Sequence, residues 1–201
     1  MRLLIFITFL LLATTASAGL RVVTTIQPIH SITASIMQGV GKPELLIPAT
    51  TSPHHFNLRP SQRRSLEHAD LLIWVGDPLE GFMPRIILSL PDEVHILSLL
   101  GPDAGHHEHG HEDINPHIWL DPIQAIAISE KIRDALIRSD AQHSAQYRHN
   151  TAALKQRLLA LDTQLSEQLN PVSQKPFIVF HDAYSYLIDR YHLKQVGIVT
   201  L

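Results

Sequence analysis

Short runs of β-branched and other apolar residues alternate with segments of helical spacing, and this alternation limits the fold more than any other feature. The strand-like runs are RVVTTI at 21–26, DLLIWV at 70–75, VHIL at 94–97 and FIVF at 177–180. Strands that alternate with helices predict a parallel sheet with right-handed crossovers. Apolar residues make up 45% of the chain, which is enough for a packed core. The expected fold class is therefore α/β.

Three helix predictions follow from capping residues and spacing. Asp121-Pro122 is a favourable helix start, with Asp as N-cap and Pro at the first helical position. A longer helix is predicted over 141–169, and at about 1.5 Å per residue it would span roughly 40 Å. A further helix is predicted near 79–90. A last strand is predicted from Gly197 onward, with no partner downstream.

The first eighteen residues have the features of an export signal. Met1-Arg2 gives a positive start, an apolar stretch follows, and Ala16-Ser17-Ala18 fits a cleavage site. The apolar stretch is too short for a stable membrane span, which needs about 20 residues. We expect cleavage after Ala18, and a periplasmic protein that does not itself span the membrane.

The composition argues against nucleic acid as a partner and indicates a metal ion. The formal charge of −3 gives no basic footprint, so nucleic acid is not an expected partner. The 14 His residues nearly equal the 16 Lys and Arg residues. Imidazole is the commonest metal-ligand side chain, so this excess indicates metal binding.

Three histidines stand out by their position beside predicted strands and loops. His54 lies in the loop after a short strand, His117 precedes the Asp121 cap, and His181 directly follows FIVF. In open α/β sheets, ligands bind beyond the carboxyl ends of the strands. Three imidazoles that met there would make a Zn²⁺ site, with a fourth position open or filled by a carboxylate. Spacing alone does not show that they meet.

The loop over 101–116 carries a second cluster of histidines, namely His106, His107, His109 and His111. Their close spacing suits weak capture of Zn²⁺ and its delivery to a main site, and a plain solvated loop is the alternative. His107 and His111 also match the HExxH metalloprotease pattern, but that pattern requires a helix. Gly105 and Gly110 argue against a helix here.

Four segments together resemble a known family. They are TSPHHFNLRPS (51–61), ADLLIWVGDPLEGF (69–82), NPHIWLDP (115–122) and FIVFHDAYSYL (177–187). Their order and content are similar to the motif set of ZnuA-type zinc-binding proteins, the solute-binding components of ABC-type zinc importers. The resemblance implies two α/β lobes joined by a long rigid helix, a bound Zn²⁺ as transported substrate, and an inner-membrane ABC permease as partner.

The resemblance also assigns roles to individual residues. The family's ligands fall on His54, His117 and His181, with His55 beside the metal. Asp121 and Asp182 are candidates for orienting the imidazoles from behind, as carboxylates often do at metal sites. Manganese-binding relatives tend to carry a carboxylate at the position of His181, so the imidazole there favours zinc.

The same resemblance implies a division of the chain. The expected parts are a signal peptide (1–18), an N-terminal lobe (19–121), linking helices (122–170) and the beginning of a second lobe (171–201). Relatives continue for roughly another lobe, so we expect either a fragment or a truncated gene product. The alternative functions are manganese binding, a periplasmic zinc buffer and, less favoured, a zinc hydrolase.

Overall fold

The computed structural model describes residues 19–101 and 114–199, apart from the His55 side chain. The strands are β1 (Val22–Thr24), β2 (Glu44–Leu45), β3 (Leu71–Trp74), β4 (His95–Ser98), β5 (Phe177–Val179) and β6 (Gln195–Ile198). The helices are α1 (Gln27–Ile36), α2 (Pro60–Glu67), α3 (Met83–Ile87), α4 (Pro122–Ser139), α5 (Ser144–Leu169) and α6 (Ser185–Tyr191). Within these residues the strands form two parallel sheets, ordered β2-β1-β3-β4 and β5-β6. The predicted α/β class with a parallel sheet is confirmed.

The centre of the larger sheet is formed by its most apolar strands. Every residue of β1 and of β3 is buried. Val22 pairs with Leu71 and Thr24 pairs with Ile73 in the parallel register. Strands covered on both faces read as continuous apolar runs, which explains why β1 and β3 are recognisable in the sequence. Their carboxyl ends point to one edge of the sheet, where the loops after them collect.

The helix predicted near 79–90 is present as α3 but is shorter than predicted, because the chain after β3 first makes a turn and the helix begins only at Met83. The carboxylate of Glu80 accepts hydrogen bonds from the hydroxyl of Thr25 (2.5 Å) and from the backbone N–H groups of Val75 (3.2 Å) and Gly76 (2.9 Å). These donors lie at the ends of β1 and β3. The buried Glu80 side chain therefore ties the ends of the two central strands together.

Helices α4 and α5 form the most extensive pair of packed elements among the described residues. Their junction is held by Asp140, which accepts a hydrogen bond from the fully buried Tyr147 hydroxyl and contacts His143 Nδ1, both at 2.7 Å. Helix α5 confirms the predicted long helix, and its 26 residues span about 39 Å. No helix in the described part of the chain combines the length and apolar character needed to cross a membrane.

The smaller sheet lies at the far end of the described chain. The predicted last strand is present as β6, and it pairs in parallel with the upstream strand β5 through an irregular register. Tyr191 at the end of α6 donates a hydrogen bond to Asp162 of α5 at 2.9 Å. The long helix therefore packs against α4 and α1 and also contacts α6, which lies between β5 and β6 in sequence.

Asn150 makes the contact between α5 and the end of α1 specific. Its side-chain N–H group donates to the carbonyls of Ile36 and Gln38, both at 2.8 Å, and the residue is 8% exposed. These carbonyls have no further helical partner because α1 ends there. The side chain thus satisfies buried acceptors that the helix itself cannot.

We predict that Asn150→Ala lowers the free energy of unfolding by about 2 kcal/mol, because the two carbonyls lose their donor. The midpoint of urea unfolding should fall with an unchanged m-value. The exposed neighbour Gln146, which donates to Asn150 at 2.9 Å, provides the matched control Gln146→Ala. That control should change stability by no more than about 0.5 kcal/mol. Equal losses in both variants would contradict this role for Asn150.

Candidate metal centre

Three histidines from distant parts of the sequence meet at the carboxyl-terminal edges of the two sheets. His54 lies in a short 3-10 turn (Pro53–His55) after β2. His117 immediately precedes the 3-10 turn that leads into α4. His181 lies two residues beyond the end of β5. The smaller sheet thus contributes one side chain, and the loops of the larger sheet contribute two.

The three imidazoles lie close enough to share one ion. One ring nitrogen of each lies within 4.8 Å of those of the other two. The Nε2 atoms of His117 and His181 are 3.1 Å apart. Ring centroids lie 4.9 Å apart for His117 and His181, and 5.6 and 5.9 Å from His54 to these two rings. Three nitrogens bound to one tetrahedral Zn²⁺ would be about 3.3 Å apart, given Zn–N distances of about 2.0–2.1 Å. The cluster is therefore close to the dimensions of such a site.

His117 is the buried member of the cluster, whereas His54 and His181 are exposed. Burial, with smaller contributions from the neighbouring His181 and His54, lowers the pKa of His117 from 6.5 to about 4. The Asp182 carboxylate acts in the opposite direction but does not cancel these effects. His117 is consequently neutral at physiological pH, which is the form that binds a metal.

Asn115 and Trp119 contact His117, and the motif analysis did not single them out. The side-chain oxygen of Asn115 lies 2.7 Å from His117 Nδ1 and 3.1 Å from the backbone nitrogen of His117. The Trp119 ring lies 5.2 Å from the His117 ring, at an angle of 60°. The sequence did contain a signal for the role of Asn115, because Asn side chains commonly accept a hydrogen bond from the backbone N–H two residues on, which here is that of His117.

The two predicted supporting carboxylates occupy different positions. The Asp121 side chain accepts a hydrogen bond from the backbone N–H of Ile123 at 2.8 Å, as an N-cap does, and forms an ion pair with Arg190 of α6. These contacts favour a capping and bridging role over orientation of an imidazole. Asp182 contributes its backbone carbonyl, which accepts a hydrogen bond from Asn115 at 3.1 Å, and the charge that acts on His117.

The remaining predicted site residues lie outside the described part of the structure. They are the loop histidines His106, His107, His109 and His111, together with the side chain of His55.

A cleft of about 820 Å³ opens beside the three histidines. Its walls are mainly apolar and include Ile26, Pro48, Leu79 and Trp119. Asp77 and Gln27 are among its polar lining residues. The cleft leaves the cluster accessible on the side of His54 and His181, so an ion could enter and leave without unfolding the core.

We predict that His117 in the metal-free protein titrates near pH 4, measured by NMR of its ring signals. Between pH 6.5 and 4 the unfolded chain protonates this ring and the folded chain does not. The stability that depends on a neutral His117 is therefore present above pH 6.5 and falls as the pH is lowered towards 4. The same signal in concentrated urea should titrate near 6.5. A midpoint near 6.5 in the folded protein would show that burial does not control this ring.

Comparisons with known proteins identify relatives along almost the whole chain. The family model described as zinc-uptake complex component A, periplasmic, matches residues 22–201. The high-affinity zinc uptake system protein ZnuA of Brucella abortus (strain 2308) is 32% identical over 224 residues, covering 90% of this chain and 67% of that protein.

Solved structures share the fold. The crystal structure of Zn(II)-bound AdcA from Streptococcus pneumoniae matches with a TM-score of 0.79 and 32% identity, covering 91% of this chain and 40% of that chain. A Mn-bound periplasmic metal-binding protein from Candidatus Liberibacter asiaticus matches with a TM-score of 0.78 at 21% identity, covering 89% of this chain and 68% of that chain. The second likeness shows the fold alone.

The chain thus spans about two thirds of the length of the Brucella relative and a smaller share of AdcA. The family match covers far more than half of the chain, and the motifs around the histidine cluster lie within it. This chain belongs to the ZnuA family of zinc-uptake components.

Proposed function

We propose that this protein binds Zn²⁺ through His54, His117 and His181 in the periplasm and delivers it to an inner-membrane ABC permease. The observation that carries the proposal is the convergence of three ring nitrogens within 4.8 Å of one another. Zinc is the transported substrate, and no chemical change of it is required. The relatives support this assignment because their names describe zinc uptake and zinc binding.

The donor set favours zinc over manganese. Three imidazoles suit Zn²⁺, whereas carboxylate, carbonyl and water oxygens suit the harder Mn²⁺. The three histidines line the cleft, and a water or a carboxylate there would complete a tetrahedron. We place the loop histidines 106–111 in an auxiliary role of weak capture, as an accessory to the three-histidine site.

Binding and release suit this cluster better than catalysis. A zinc hydrolase needs a general base within hydrogen-bond reach of the open position. The carboxylate of Asp121 is bound to Arg190, and that of Glu80 is buried against Thr25 and two backbone N–H groups. Both side chains are therefore engaged in holding the structure, whereas Asp77 lines the cleft and is the carboxylate that a hydrolase would have to use.

We predict one tight Zn²⁺ site per chain by isothermal titration calorimetry, with a Kd below about 1 μM, or roughly −8 kcal/mol. A variant lacking residues 106–113 should keep this site, and Mn²⁺ should bind more weakly. Replacing His54, His117 and His181 together by Ala should abolish tight binding. His149→Ala removes an exposed histidine of α5 and serves as the matched control.

Other outcomes of the titration would favour other functions. Binding that disappears when residues 106–113 are removed would indicate a zinc buffer based on the loop. Preference for Mn²⁺ would overturn the metal assignment. Turnover of ester or peptide substrates that is lost in His181→Ala would indicate a hydrolase.

A further inference from the structure

We propose that Asn115 is the positioning residue of the metal centre: its side-chain amide fixes the ring proton of His117 on Nδ1 and ties that ligand to the His181 segment. The expected effect of Asn115 on zinc affinity rests on the proposed zinc function. The assignment of the proton stands on the contacts of Asn115 in the metal-free protein.

The orientation of the Asn115 amide follows from two backbone groups whose chemistry is unambiguous. The backbone N–H of His117 can only donate, and it lies 3.1 Å from Asn115 Oδ1. The carbonyl oxygen of Asp182 can only accept, and it lies 3.1 Å from Asn115 Nδ2. With the amide turned over, its NH₂ group would face the backbone N–H of His117, which is also a donor. Its oxygen would face the carbonyl oxygen of Asp182, which is also an acceptor. The oxygen of the amide therefore faces the His117 ring.

This orientation fixes the tautomer of the ring. Asn115 Oδ1 lies 2.7 Å from His117 Nδ1, and an amide oxygen can only accept a hydrogen bond. His117 Nδ1 must therefore carry the proton, and Nε2 presents its lone pair to the cluster. Metal-binding histidines commonly donate their other N–H in this way, which fixes the ring orientation.

A second consequence concerns the cluster as a whole. With its proton on Nδ1, His117 directs the Nε2 lone pair towards His181 Nε2, which lies 3.1 Å away, close to the separation of two nitrogens bound to one Zn²⁺. A metal entering the cluster therefore meets an imidazole of His117 that is already set for binding.

Asn115 also joins the two chain segments that carry these ligands. Its side-chain oxygen faces the His117 ring, and its amide N–H group bonds to the carbonyl of Asp182, next to His181. The side chain of Asn115 therefore helps to set the spacing between His117 and His181.

The first test is the tautomer of His117 in the whole, zinc-free chain, read at about pH 7.5 from long-range ¹H–¹⁵N correlations of ¹⁵N-labelled imidazoles. The expected result is protonation on Nδ1, unchanged when Zn²⁺ is added. A ring protonated mainly on Nε2 in the zinc-free protein would overturn the proposal. Because no metal is involved, this measurement decides the role of Asn115 even if tight zinc binding were not found.

Two substitutions separate the two tasks of the amide. Asn115→Asp keeps an acceptor for His117 Nδ1 but loses the donor to the Asp182 carbonyl, whereas Asn115→Leu loses both. We expect the Nδ1–H tautomer to persist in Asn115→Asp and to be lost in Asn115→Leu. Zinc affinity should fall about 10- to 100-fold in Asn115→Leu, and less in Asn115→Asp.

Tyr186→Phe is the matched control, because it removes the hydrogen bond to the Asn115 carbonyl and leaves the amide and the imidazole paired. It should keep the wild-type tautomer and bind zinc within about threefold of wild type. An Asn115→Leu variant with the wild-type tautomer and affinity would overturn the proposal. So would a loss of affinity in Tyr186→Phe as large as that in Asn115→Leu.

Discussion

Hydrogen bonds between the segment before α4 and the segment around α6 hold two of the three histidines, His117 and His181, next to each other. Asn115 bonds to the Asp182 carbonyl, and Asp121 pairs with Arg190. Three neutral imidazoles have little attraction for one another, and charged ones repel. Their convergence in a metal-free chain therefore has to be imposed from outside the cluster. The contacts between these two segments impose it on His117 and His181.

The scaffold behind these contacts is rigid for simple reasons of packing. The α4–α5 pair is anchored at its junction by the buried Tyr147 and at the end of α1 by Asn150. A continuous helix of about 39 Å then reaches the elements of the smaller sheet. Because helices keep their length, the separation between the sheets is set largely by α5. Hydrogen bonds near the cleft, such as that between Asn115 and the His117 ring, then fix the positions of individual ligands.

The three histidines of the cluster differ in burial, and therefore in exposure to solvent. Burial keeps His117 neutral by lowering its pKa to about 4, so this ligand is available for a metal over the whole physiological range. His54 and His181 are exposed beside the cleft, where solvent can reach an incoming or leaving ion. One fixed, buried ligand combined with two accessible ones suits a protein that must bind an ion tightly and later give it up.

The sequence was informative where one physical pattern dominated. Continuous apolar runs predicted β1 and β3, and Asp121 followed by Pro122 predicted the start of α4, where Asp121 indeed accepts from Ile123 N–H. The helix near 79–90 was predicted too long, since it begins only at Met83, after a turn in which Glu80 accepts a hydrogen bond from Thr25. The partners of Asn115 and Asp121 could not be predicted either. Asp182 and Arg190 lie 67 and 69 residues away in sequence, and only the folded chain places them there.

X-ray absorption spectroscopy at the zinc edge, on protein lacking residues 106–113 and loaded with one equivalent of Zn²⁺, tests the central claim most directly. Three imidazole ligands predict nitrogen scatterers at about 2.0–2.1 Å, with the outer-shell multiple scattering of three rings and one further light atom. In His181→Ala, the multiple scattering should correspond to two imidazole rings instead of three. A shell dominated by oxygen, with one imidazole or none, would contradict a site built from His54, His117 and His181.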